Sequence, residues 1–201
     1  MFADWSAFGS AIIGAIIGGG ITGYFALKST TNAYHFQQKM SEQNENELIQ
    51  GLLQAFHDEI ETVFERYQET MGAKIESLKE GDALQVYYPL ISDFFSVYNG
   101  NSFLIGRIPE NDLRKQIIKT YTLAKGMVDS LRMNNELLQK FEYWYQVFQE
   151  SKSEVHRNKV DESLYSLREY AKNLKTGHQQ IKIETNQLLR LLRKRGVLAE
   201  K

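Results

Sequence analysis

Four histidines, a glycine-rich phosphate-loop look-alike and one tight basic cluster are the residues here whose types and spacing could do chemistry. His35, His57, His156 and His178 lie far apart, and His57-Asp58-Glu59 lacks the H-E-x-x-H spacing that sets two imidazoles on one helical face to hold zinc. Gly18-Gly19-Gly20-Ile21-Thr22-Gly23 matches the G-x-G-x-x-G dinucleotide pattern. No strand precedes it and it lies inside an apolar run, so the match is false. The chain has no G-x-x-x-x-G-K-[ST] loop and no G-x-S-x-G turn. With no cysteine there is no thiol nucleophile and no disulfide. The expectation is a protein that is not an enzyme, with no cofactor, no metal and no small-molecule substrate.

The basic cluster is Arg190, Arg193, Lys194 and Arg195, set beside Leu188, Leu189, Leu191 and Leu192. Cations at this density could touch anionic lipid or nucleic-acid phosphate. The plainer account is helix termination, since cations suit the negative end of the helix dipole and Gly196 suits a C-cap.

Residues Trp5 to Leu27 form an uncharged run. As a helix rising ~1.5 Å per residue the run would be roughly 34 Å long, enough for a hydrocarbon core of ~30 Å. It reads as one transmembrane helix. A cleavable signal peptide is disfavoured, because Met1 to Ser6 hold no Lys or Arg and no small-x-small site follows the run. Ser10, Gly14, Gly18 and Thr22 recur every four residues, and Ala11, Ala15, Gly19 and Gly23 form the adjacent row. Two such rows make a groove for close helix packing. The functional reading is an oligomerising anchor; the bland one is an anchor that happens to be rich in glycine. Lys28 and Lys39 follow the run while Asp4 precedes it. The positive-inside rule then puts the N-terminus outside and the C-terminal region in the cytoplasm.

The remaining chain is formally near neutral and holds both prolines, Pro89 and Pro109, in one middle stretch. Long Pro-free segments on either side suit long helices. Residues 29–47 are polar and either continue the anchor helix or form a neck; Ser41 is a weak capping signal for a restart. Ile49, Leu53, Phe56, Ile60, Val63 and Tyr67 then mark an amphipathic helix ending near Gly81. Residues 83–108 form an irregular, aromatic-rich connection in which Asn99-Gly100 reads as a tight turn. Its aromatic part reads as core packed under a bundle, with contact at a membrane interface as the alternative.

Pro109-Glu110-Asn111-Asp112 reads as a helix start. Leu113, Ile117, Tyr121, Ala124, Val128, Leu131, Leu138, Tyr145 and Phe148 follow with mostly heptad spacing, and Asn135 falls at a seam position where a polar group fixes register. After a polar break at 151–158, Val160, Leu164, Leu167, Ala171, Leu174, His178, Ile181, Thr185, Leu188 and Leu192 alternate by threes and fours. A short break makes these two helices antiparallel. The expected fold is all-α: an N-terminal transmembrane helix followed by an elongated bundle of about three long helices. The divisions are an anchor at 1–28, a neck at 29–47, a cytoplasmic bundle at 48–196 and a tail at 197–201.

Phe95-Ser96-Val97-Tyr98-Asn99-Gly100-Asn101, then Leu104-Ile105-Gly106 and the helix carrying Ile117, Ile118 and Tyr121, bear a resemblance. The chain resembles a group of bacterial single-pass membrane-anchored helical proteins with a glycine-rich N-terminal span and this turn, whose marks here are Tyr98, Asn99, Asn101 and Gly106. It is also similar to the transmembrane effectors of antiviral retron systems, over about residues 1–135, through a short and non-catalytic motif. That resemblance implies a partner made of reverse transcriptase with its RNA-linked DNA, and cell death or growth arrest on infection. The leading expectation is therefore an inner-membrane effector of abortive infection that contacts membrane lipid and assembles as a homo-oligomer. The alternatives are a non-toxic coiled-coil scaffold and a membrane-tethered nucleic-acid binder.

Overall fold

The computed structural model describes residues 5–89 and 94–195, with side chains from Leu27 onward. Every regular element among the described residues is helical: α1 (Trp5–Tyr67), α2 (Ala73–Ser77), α3 (Ser96–Asn101), α4 (Asn111–Ser151) and α5 (Glu154–Lys194). A π-helical turn (Gln68–Gly72) joins α1 to α2, and a 3-10 turn (Ser102–Arg107) follows α3. The all-α expectation holds. The chain divides into two units, Met1–Leu48 and Ile49–Lys201, with the division falling inside α1.

In the first unit the polar neck is helical, with no restart at Ser41. Lys28 to Gln50 contain neither Pro nor Gly, and side-chain bonds one turn apart support the helix: Gln38 to Glu42 at 3.3 Å and Gln43 to Glu47 at 3.2 Å. Every side chain from Leu27 to Leu48 is exposed, Tyr34 and Phe36 included. The small-residue rows at 10–23 lie on helix whose side chains are outside the described residues, as does nearly all of the uncharged run. The tail at 197–201 is outside them too. Among the described residues no helix is long and apolar enough to cross a membrane.

In the second unit, Ile49, Leu53, Phe56, Ile60 and Tyr67 of α1 are buried, as their spacing requires. The helical path stops at Ser77, a little before Gly81, whose φ of 84° turns the chain. The π turn is absent from the reading of an unbroken amphipathic helix here, because one added residue per turn leaves no mark on composition. It brings Gly72 so close to α5 that a Cβ there would sit 2.5 Å from Gln68 Oε1 and 3.1 Å from His178 Cε1. Met71 and Ile75 flank it as core residues, 1% and 0% exposed.

The helices α4 and α5 form a long antiparallel hairpin. The expected break at 151–158 shrinks to Lys152 and Ser153, with Lys152 left-handed (φ 50°) and its N–H capping Phe148 O at 2.9 Å. Arg195 pairs with Glu110 at one end, and the His156 ring stacks on Trp144, centroids 6.0 Å apart, at the other. The α5 stripe is confirmed from Leu167 to Leu192, while Val160 and Leu164 are only half-buried.

Two expectations are overturned. Asn99-Gly100 is not a tight turn but lies inside α3, because a distant carboxylate, Glu59, caps that helix. Of the two neighbouring asparagines of α4, Asn134 is buried (0% exposed) and Asn135 is half-buried beside it, and neither reaches across a helical seam. Both instead hold the extended segment that follows Gly81.

Candidate functional site: a polar seam through the bundle core

The described aromatic-rich residues are held to α1 and α4 by side chains acting on backbone. Glu59, half-buried on α1, accepts the Val97 N–H at 2.6 Å and the Tyr98 N–H at 3.0 Å. These are unpaired donors in the first turn of α3, where a negative charge is favoured. The Tyr121 hydroxyl also donates to Glu59, at 3.0 Å. Burial and the adjacent carboxylate push that phenol well above the ordinary tyrosine range. Around it Tyr98 stacks at 4.0 Å between centroids, while Phe56 and Phe95 meet it edge-on at 5.8 and 5.5 Å. Such pairs add about 0.5–1.5 kcal/mol each beyond their area. Phe95 adopts the left-handed region, with φ 67°, a costly conformation for an aromatic residue.

The motif residues therefore have structural partners. Asn99 accepts from Lys125 Nζ at 2.7 Å, that ammonium lies 4.9 Å from the Tyr98 ring centroid, and Asn101 donates to Val97 O at 2.8 Å. Gly106 lies exposed in the 3-10 turn, with open space where a Cβ would be.

Along α4, Asn135 treats Tyr88 as a strand would. Its Oδ1 accepts the Tyr88 N–H at 3.0 Å and its Nδ2 donates to Tyr88 O at 2.8 Å. Asn134 Nδ2 donates to Leu84 O at 3.1 Å, and the Tyr87 hydroxyl donates to Glu142 at 2.7 Å. Two side-chain amides thus satisfy backbone that has no strand beside it.

A second polar array crosses from α1 to α5. His178 is 2% exposed in the middle of the apolar α5 stripe. Its Nδ1 lies 2.9 Å from the Tyr67 hydroxyl and its Nε2 2.9 Å from Glu76 Oε1. A carboxylate only accepts, so Nε2 carries the proton and Tyr67 donates to Nδ1 in the neutral tautomer. Lys182 adds a 2.7 Å bond to the same Glu76 oxygen. Lys182 first, then His178, hold the Glu76 carboxyl down to about 2. Burial first, then Tyr88 and Glu76, push the Tyr67 phenol well up. Both imidazole nitrogens are engaged inside the fold, so the array ties α1, α2 and α5 together.

A third group joins α4 and α5. Glu184 accepts from Lys119 at 2.7 Å and from Gln116 at 2.9 Å, and these two contacts, Lys119 first, lower its carboxyl below the usual range.

The basic cluster is half neutralised. Arg193 bonds Glu61 at 2.6 Å and reaches the buried His57 at 3.4 Å, and Arg195 pairs with Glu110. Arg190 and Lys194 are exposed. Spacing along α5 could not reveal the two pairings, because both acids come from other parts of the chain. Among the described residues no group of His, Asp and Glu is arranged to hold a metal ion. No family model, no curated protein and no solved structure matches the chain.

Proposed function

We propose that this chain is a membrane effector of a bacterial antiviral defence system, of the retron type, that impairs the inner membrane when triggered. The observation that carries the reading is α1 itself. One helix is assigned from Trp5, at the start of the uncharged run, to Tyr67 in the bundle core, and all its side chains from Leu27 to Leu48 are exposed. An uncharged run of this length suits a bilayer, and the rows Ser10, Gly14, Gly18, Thr22 and Ala11, Ala15, Gly19, Gly23 suit close packing of one copy against another. The bundle supplies the holding or sensing part, with its C-terminal region cytoplasmic and the N-terminus outside. Its resemblance-derived partner is a reverse transcriptase with RNA-linked DNA.

Nucleic-acid binding through Arg190, Arg193, Lys194 and Arg195 is the weaker alternative, since Arg193 and Arg195 already hold carboxylates of their own chain. A non-toxic scaffold differs from the effector in its expected phenotype. Induced expression in bacteria carrying a potential-sensitive dye will depolarise the cells, and Gly14→Leu with Gly18→Leu will blunt that response. Full membrane potential under strong induction, with the trigger supplied, sinks the proposal.

A further inference from the structure

A cavity of about 40 Å³ lies in the core, walled by residues of α1, α4 and α5 and by Phe95. None of the side chains lining it is charged. Thr185 is part of the wall and 0% exposed, yet its Oγ1 has no hydrogen-bond partner. Helical hydroxyls elsewhere in the chain turn back on their own backbone. Those of Thr31, Thr70 and Thr176 donate to the carbonyl one turn earlier at 2.9, 2.7 and 3.1 Å, and those of Ser163 and Ser166 do so at 2.7 and 2.9 Å. Thr185 makes no such bond to the Ile181 carbonyl, so its hydroxyl is left for whatever enters the cavity. The backbone of the wall is irregular too. Phe95 holds its φ of 67°, and Tyr67 is the residue just before the π turn. Strained backbone and π turns both gather at ligand sites.

We propose that this cavity binds an uncharged molecule, smaller than benzene, carrying one hydroxyl or carbonyl group on a short hydrocarbon frame. Size sets the upper bound. One water needs about 10–15 Å³ and benzene occupies a cavity of about 150 Å³, and the space here falls between them. Charge is excluded, because nothing in the wall would offset the desolvation of an ion. Thr185 sets the polar group, since a free hydroxyl donates to a carbonyl and can donate to or accept from another hydroxyl. Water is the competing occupant, but it needs several polar partners, and the Tyr67 hydroxyl already gives its proton to His178. Val63, Phe64 and Val128 in the wall are half-buried, which leaves a short route in from solvent. Every lining residue belongs to the second unit, so the site stands independently of the membrane reading.

The test uses the purified full chain, labelled at its Met and Thr methyl groups and titrated with 1-propanol and, separately, with xenon. Saturable shifts are expected at Met127 and Thr185 with 1-propanol, and at Met127 with xenon. Thr185→Val should weaken 1-propanol about fivefold, the worth of one neutral hydrogen bond, and leave xenon binding unchanged. Its thermal melt should lie at or above the parent's, because it removes a buried hydroxyl that has no partner. Ala124→Leu fills the cavity and should abolish both responses, with the smaller Ala124→Val as a second filling variant that spares the fold. Shifts that never saturate overturn the proposal. So does equal 1-propanol affinity in the parent and Thr185→Val, or a response that survives both Ala124 variants. An ordered water at Thr185 that 1-propanol fails to displace overturns it as well.

Discussion

Glu59 on α1 accepts the Tyr98 backbone N–H at 3.0 Å, across a gap of 39 residues in sequence. The same carboxylate accepts from Val97 N and the Tyr121 hydroxyl, so one acid joins α1, α3 and α4. Most helix caps are local. This one is supplied by a helix that is already folded against the core.

Removing that carboxylate will therefore loosen the α3 region rather than merely shorten a helix. Hydrogen bonds to a charged group contribute about 1.5–3 kcal/mol, and unmet buried donors add to the loss. Glu59→Ala is expected to cost about 3 kcal/mol in urea unfolding, and Glu59→Gln about half of that. Amide exchange at Val97 and Tyr98 should accelerate in both. Unchanged exchange at these two amides would show that the cap is not needed.

The Asn135 clamp makes a separate prediction. Asn135→Leu leaves the Tyr88 N–H and C=O, now bonded at 3.0 and 2.8 Å, without their partners. An unmet buried polar group costs about 1–3 kcal/mol. Asn135→Leu is expected to cost about 2 kcal/mol and to abolish exchange protection at Tyr88. Asn135→Asp keeps the acceptor and loses the donor, so it should fall between the two. Equal stability of all three proteins would count against the clamp.

Acid stability should carry the signature of Glu76. Its folded carboxyl is lowered from 4.5 to about 2, so the unfolded chain binds its proton first as pH falls. A depressed carboxyl stabilises the fold above the unfolded value, and that contribution is lost between about pH 4.5 and 2. Glu184, lowered by Lys119 and Gln116, acts in the same direction. Thermal melts from pH 7 to 2 should decline across this window in the parent and more shallowly in Glu76→Gln. Parallel declines would mean that the Lys182–Glu76–His178 contact is not what acid breaks.

Sequence alone determined the all-α class, the helix start at Glu110–Asn111, and most of the buried stripes of α1, α4 and α5; on α4 the stripe is buried as far as Leu138, while Val128 and Phe148 are half-buried and Tyr145 is exposed. The physical reason is periodicity: an apolar residue every three or four positions can be buried only as one face of a helix, whatever it packs against. His178 and Thr185 appeared on that stripe, and both are buried. The partners, however, were not legible. Glu59 with Val97, Asn135 with Tyr88, Tyr67 with His178 and Arg193 with Glu61 are separated by 38, 47, 111 and 132 residues. A polar side chain reads as solvated face or buried seam with equal ease until the facing element is known. Asn134 and Asn135 are the clearest case, since a one-residue difference in helical phase decides which is fully buried. Asn99-Gly100 is another: local propensity favours a turn, but the stretch is helical, its first-turn N–H groups capped by the carboxylate of a distant helix. Spacing settles which face of a helix turns inward, but tertiary structure decides what meets it there, because the groups that satisfy a buried donor or charge come from anywhere in the chain.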